Sequence, residues 1–110
     1  MTMIRERDIQ KQIVEYLSYR PDIKVWRQNC GAFVVGKRFV RFGIPGQADI
    51  TGIMKGGRRI EIEVKTKRGK LSPEQETFRK MIEDCGGLYI VARDLDDVLA
   101  ALAELIREKS

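Results

Sequence analysis

Gly46–Lys65 reads GQADITGIMKGGRRIEIEVK. Two short apolar runs, Ala48–Met54 and Ile60–Val64, flank Lys55-Gly56-Gly57-Arg58-Arg59, so the stretch reads as a β-hairpin whose turn contains the Gly-Gly pair. Side chains alternate along a strand, which sends Ile60, Ile62 and Val64 to one side and Glu61, Glu63 and Lys65 to the other. Asp49 stands at the start of the first strand. Paired strands lie about 4.8 Å apart and alternate residues on one strand about 6.6 Å, so Asp49 and Glu63 can reach one hard cation with oxygen ligands at about 2.0–2.1 Å. Lys65 would stand beside that ion.

Composition narrows the chemistry. The 110 residues suit one domain spanning 1–110, with a core that needs no disulfide or structural metal. With 21 Lys plus Arg against 16 Asp plus Glu, the net charge of +5 fits a polyanionic partner, nucleic acid or a membrane surface. There is no histidine, which removes Ser-His-Asp triads and histidine zinc sites and leaves carboxylates, lysines and water for acid–base work. Cys30 and Cys85 lie in no CxxC spacing and read as reduced thiols. No run approaches a membrane span and the start has no apolar signal core, so a cytoplasmic protein is expected, with no membrane partner.

In chain order, Ile9, Ile13, Tyr16 and Leu17 recur at helical spacing within Met3–Tyr19. Glu6 near that helix start is either an acid favoured by the helix dipole or a third carboxylate at the metal site. Ile23–Arg27 reads as a weak strand. Gly36-Lys37-Arg38 resembles a turn between Phe33–Val35 and Phe39–Phe42, an extra hairpin or flap. There Arg27, Lys37, Arg38 and Arg41 interleave with aromatic rings that serve either strand packing or DNA contact. The glycines of Gly43-Ile44-Pro45-Gly46 permit close approach to another chain or a ligand.

After a basic loop carrying Lys67, Arg68 and Lys70, Ser72-Pro73-Glu74-Gln75 forms a capping box. The helix it opens has the apolar stripe Phe78, Met81, Ile82 and Cys85 and ends at Gly86-Gly87. Leu88–Ala92 lacks alternation and reads as a central strand. Asp94 caps a last helix with Val98, Leu99, Leu102, Leu105 and Ile106 inward and Arg107 and Lys109 at its C-terminal end. The order is αβββαβα, an α/β fold with a mixed central sheet flanked by helices.

Taken alone, Glu63-Val64-Lys65 could be solvated strand charges. Asp49 behind a Gly-Pro-Gly turn and the basic loop after Lys65 favour a catalytic site. The set Gly46-x-x-Asp49, Glu63-Val64-Lys65 and Leu71-Ser72-Pro73-x-Gln75 resembles the PD-(D/E)XK nuclease superfamily, most closely its VRR-NUC branch. Trp26–Gly31, Arg41–Gly46, Gly86-Gly87 and Tyr89–Ala92 are similar to that branch as well, although PGQAD stands where the superfamily has PD.

The resemblance implies a restriction-endonuclease-like fold and a Mg²⁺- or Mn²⁺-dependent endonuclease. Asp49, Glu63 and the Val64 carbonyl would be metal ligands, and Glu6 an accessory carboxylate. Lys65 would orient water or neutralise the scissile phosphate. Gln75 would position water or Lys65, unless it serves only the helix. Arg27, Asn29, Lys37, Arg38, Arg41, Lys67, Arg68 and Lys70 are the expected DNA contacts. Stand-alone members resemble Holliday-junction resolvases, so a homodimer on branched DNA is expected, with a flap or nick nuclease acting through one protomer as the alternative. An idle nucleic-acid-binding module and an anionic-membrane binder remain as other classes.

Overall fold

The computed structural model describes residues 5–28 and 31–108, with the backbone alone at 31–34 and 39–42. The elements run α1 (Glu6–Leu17), β1 (Ile23–Arg27), β2 (Gly31–Val35), β3 (Arg38–Phe42), β4 (Ile50–Met54), β5 (Arg59–Val64), α2 (Pro73–Asp84), β6 (Leu88–Ala92) and α3 (Leu95–Glu108). Four strands form a mixed sheet in the order β1-β4-β5-β6. Its β1–β4 and β4–β5 pairs are antiparallel and its β5–β6 pair is parallel. The extra hairpin is a separate two-stranded sheet, β2–β3, with exposed Lys37 and Arg38 at its turn. With it set aside, the order reads αβββαβα.

The alternation in Ile60–Val64 divides the molecule into two layers. Ile60, Ile62 and Val64, with Ile23, Ile50, Met54, Ile90 and Ala92, face α1 and α3, which contribute Ile9, Ile13, Leu17, Val98 and Leu102. A fully buried isoleucine contributes about 1.5–3 kcal/mol by leaving water, so this row accounts for much of the stability. On the opposite face α2 lays Phe78 and Ile82 against Ala48 and Tyr89. The Phe78 and Tyr89 rings meet edge-on at 6.5 Å between centroids.

Several helix-face expectations are corrected. Tyr16 (38%), Met81 (43%) and Ile106 (60%) are exposed, and Cys85 is an exposed free thiol. Tyr16 and Met81 lie at the borders of their apolar stripes, because a helix on a sheet covers only a narrow arc, whereas Cys85 is the C-cap of α2 and Ile106 stands in the last turn of α3. Leu88–Ala92 is an edge strand, not a central one. Its lack of alternation has another cause: α2 packs on one face of β6 and α3 on the other, so both faces are covered.

The ends of α2 behave as their residues dictate. Ser72 Oγ accepts from the Gln75 N–H at 3.2 Å, and Gln75 Oε1 accepts from the Ser72 N–H at 2.9 Å. At the other end Gly87 N–H donates to Ile82 C=O and Gly86 N–H to Glu83 C=O, the Schellman closure, with Gly86 at φ 89°. Asp94 Oδ1 accepts from the Asp97 N–H and caps α3. Lys109 lies outside the described residues.

Candidate metal and phosphate site

The β4–β5 register pairs Ile50 with Ile62, and one step further along it sets Asp49 opposite Glu63. Because Ile50 and Ile62 face α1 and α3, the two carboxylates face the α2 side. Asp49 precedes β4 rather than beginning it. Its carbonyl still accepts from the Gln28 N–H at 2.8 Å, and its Oδ2 accepts from the Val64 N–H at 2.8 Å. The side chain thus takes over as acceptor where the β4 backbone leaves the ladder. Gly46, at φ 79°, makes the bend that allows this: a Cβ there would collide with the Glu74 carbonyl and the Gln75 amide. The close approach that this glycine permits here is to α2 of the same chain.

Glu63 is held from two sides. Gln75 Nε2 donates to its Oε2 at 3.1 Å, and Lys65 Nζ lies 3.9 Å from the same oxygen. Its Oε1 is buried without a hydrogen-bond partner. Burial, and next the charge of Asp49, push the Glu63 carboxyl up to about 8 against the opposing pull of Lys65. A positive charge beside the bare oxygen would offset both the burial and the repulsion from Asp49. Burial, then the Glu63 charge, also pushes the Tyr89 phenol up, and its hydroxyl likewise lacks a partner.

The donor set fits a hard divalent cation. Mg²⁺ retains several waters and is commonly held by one or two carboxylates plus substrate phosphate, and Asp49 and Glu63 could supply the two carboxylates. Glu6 stands in the first turn of α1, whose buried residues Ile9, Ile13 and Leu17 pack on the opposite face of the sheet. Among the described residues no group of three or more His, Cys, Asp or Glu side chains forms a metal-holding cluster.

Lys65 is 18% exposed in its side chain, and its backbone N–H donates to Ala92 C=O. The following loop is clasped by Arg93, whose Nη1 donates to the carbonyls of Thr66 and of Gly69, the latter at 2.9 Å. Arg93 is absent from any sequence motif, but the parallel register Val64↔Ala92 brings it beside Lys65. A second unexpected group is Thr51–Glu61–Arg59. Glu61 is fully buried, its Oε1 accepting from Thr51 Oγ1 at 3.0 Å and Arg59 Nε at 2.9 Å. Burial raises the Glu61 carboxyl, and the Thr51 and Arg59 contacts oppose that rise.

The expected DNA contacts separate. Lys67, Arg68 and Lys70 are exposed on the loop after β5, and Lys37 and Arg38 at the tip of the β2–β3 hairpin. Arg27 is turned the other way, donating from Nη2 to Arg7 C=O on α1 at 3.3 Å, because its register partner Ile50 faces the α1 side. Asn29 and Cys30 lie outside the described residues, as does the side chain of Arg41. Among the described residues no helix is long and apolar enough to cross a membrane. Compared with known proteins, the chain matches no family model and no curated protein.

Proposed function

We propose that the protein is a divalent-metal-dependent phosphodiesterase acting on DNA, in keeping with its resemblance to the VRR-NUC branch. The observation that carries this reading is Glu63: opposite Asp49, buried, with one oxygen bound by Gln75 and the other bare. A divalent cation held by Asp49 and Glu63 supplies Lewis-acid chemistry at a phosphate oxygen and makes water more acidic. Gln75 fixes the rotamer of Glu63. Lys65, shielded from bulk water, offers a compact positive charge to the phosphate as negative charge grows on it. Arg93 holds the loop that follows, so that Lys65 and Gln75 keep their spacing.

The finer proposal is that the substrate is branched DNA and the working unit a homodimer, with Lys67, Arg68 and Lys70 on phosphates. Incubation with four-way junction, flap, duplex and single-stranded DNA in Mg²⁺, Mn²⁺ or EDTA tests both levels. Paired cuts on a junction by a dimer support the finer proposal. Cleavage of a flap or nick by a monomer replaces it with the alternative, and no metal-dependent cleavage of any substrate overturns the reading.

A further inference from the structure

The face that carries Asp49 and Glu63 continues past the site. In the next row, two residues along each strand, the register places Trp26 of β1, Thr51 of β4, Glu61 of β5 and Tyr89 of β6 side by side. The row after it begins with Lys24, Ile53 and Arg59. Helix α2 covers only the Tyr89 end of this surface, so its β1–β4 half is open. Trp26 is 50% exposed and Ile53 48%, a large apolar exposure on strands whose other face is core.

These side chains line a recess. Trp26, Thr51, Gly52, Ile53, Gly57 and Arg59 line a half-open recess of about 170 Å³. An apolar cavity of about 150 Å³ takes up one benzene ring, so the recess has room for a one-ring base. Its charged wall is fixed from beneath: Arg59 spends two of its five N–H donors on Glu61 Oε1 and Thr51 Oγ1, and Glu61 is itself fully buried. The Arg59 side chain is nevertheless 54% exposed, and exposed Lys24 stands nearby on the same face.

We propose that this recess is a subsite for an unpaired nucleotide of the substrate strand, its base stacked on Trp26 and its phosphate met by Arg59 and Lys24. The ligand's identity as nucleic acid rests on the phosphodiesterase reading; the stacking rests on the geometry of Trp26, Ile53 and Arg59. An aromatic platform between cations is how single strands are held without sequence preference. An apolar protein partner would use Trp26 and Ile53 but has no need of two cations flanking them. A base in a continuous duplex is stacked on its neighbours and cannot enter, so the subsite takes a nucleotide unstacked at a branch point or in a single strand beside the site.

The chain has one tryptophan, which makes its emission a direct reporter of stacking. Wild-type protein is titrated with a thymidine oligonucleotide and with a blunt duplex in EDTA, where no hydrolysis is required. Saturable quenching by the single strand, and little by the duplex, is expected. Trp26→Ala should weaken single-strand binding about ten-fold and Trp26→Phe about three-fold, in line with the energy of one base stacked on a ring. A bound single strand that leaves the emission unchanged, no single-strand binding at all, or equal quenching by the blunt duplex overturns the subsite. Each of those results leaves metal-dependent cleavage, measured separately, intact. Quenching by the single strand in a protein that cleaves no DNA with Mg²⁺ or Mn²⁺ upholds the subsite and overturns the hydrolytic reading instead.

Discussion

Gln75 binds Glu63 with one end of its amide and the N-terminus of its own helix with the other: Nε2 donates to Glu63 Oε2 at 3.1 Å while Oε1 accepts from the Ser72 N–H at 2.9 Å. One side chain therefore caps the helix and binds Glu63 at the same time, where the resemblance implied a contact to water or Lys65. The cap fixes the amide so that its only donor group is aimed at the carboxylate.

Gln75→Glu separates the two roles, because a glutamate keeps the capping box but sets a carboxylate against Glu63. We expect cleavage to fall by at least about ten-fold with the helix retained by circular dichroism. Gln75→Ala should also lose the side-chain half of the capping box while the Ser72 Oγ bond to the backbone N–H remains, a cost below that of a full cap, about 1 kcal/mol in chemical denaturation. Full activity in Gln75→Glu would show that the bond to Glu63 is incidental.

Stability in EDTA should fall as pH rises. Glu63 is raised from 4.5 to about 8 by burial and by Asp49, and Glu61 is raised by burial, so the folded state holds protons that the unfolded chain releases. The penalty is absent below the unfolded value near 4.5 and complete once pH passes about 8. The melting temperature should therefore drop between pH 5 and 8 by an amount that Glu63→Gln reduces. Mg²⁺ at pH 8 should restore part of it, since a ligand of the folded state stabilises that state. A melting temperature that rises across the same range would contradict the burial of these acids.

Arg59→Ala strands the buried Glu61 carboxyl with Thr51 as its remaining partner. Breaking a fully buried pair costs about 3–5 kcal/mol, and the half-exposed guanidinium reduces this to about 2 kcal/mol by urea denaturation. The double variant Arg59→Ala, Glu61→Leu should recover most of the loss, and no recovery would mean that Arg59 acts through its packing instead.

How much of this was legible in the sequence follows from where each signal resides. Strand alternation in Ile60–Val64, the capping box at Ser72 and the glycine pair after Cys85 are local, and each element formed where its residues dictate. The Asp49–Glu63 pairing was legible too, because a hairpin fixes the register across its turn. Properties set by tertiary cover were not. Leu88–Ala92 carries the apolar run of a central strand at an edge, since two helices supply the cover that neighbouring strands would. Arg93 reaches the Lys65 loop only through a parallel pairing with no short-range sequence mark, and Arg27 faces α1 through a register that its composition does not encode.

Arg93→Ala should release the loop that it clasps while leaving the sheet intact. Faster hydrogen exchange at Thr66–Lys70, unchanged exchange in β5, and a loss of about ten-fold in cleavage rate are expected for a misplacement of this kind. A rate equal to wild type with a mobile loop would remove Arg93 from the positioning of Lys65.

The central claim, that Asp49 and Glu63 hold a divalent cation for phosphodiester hydrolysis, is tested most directly by one measurement: the cleavage rate of labelled DNA as Mg²⁺ is titrated, for wild type, Asp49→Asn and Glu63→Gln. Each substitution removes a charged ligand while nearly preserving shape. The account predicts saturable Mg²⁺-dependent cleavage by wild type, abolished by EDTA, and a loss of at least about a thousand-fold in either variant with DNA binding retained. Wild-type cleavage that persists in EDTA, or either variant cleaving at the wild-type rate, would contradict it.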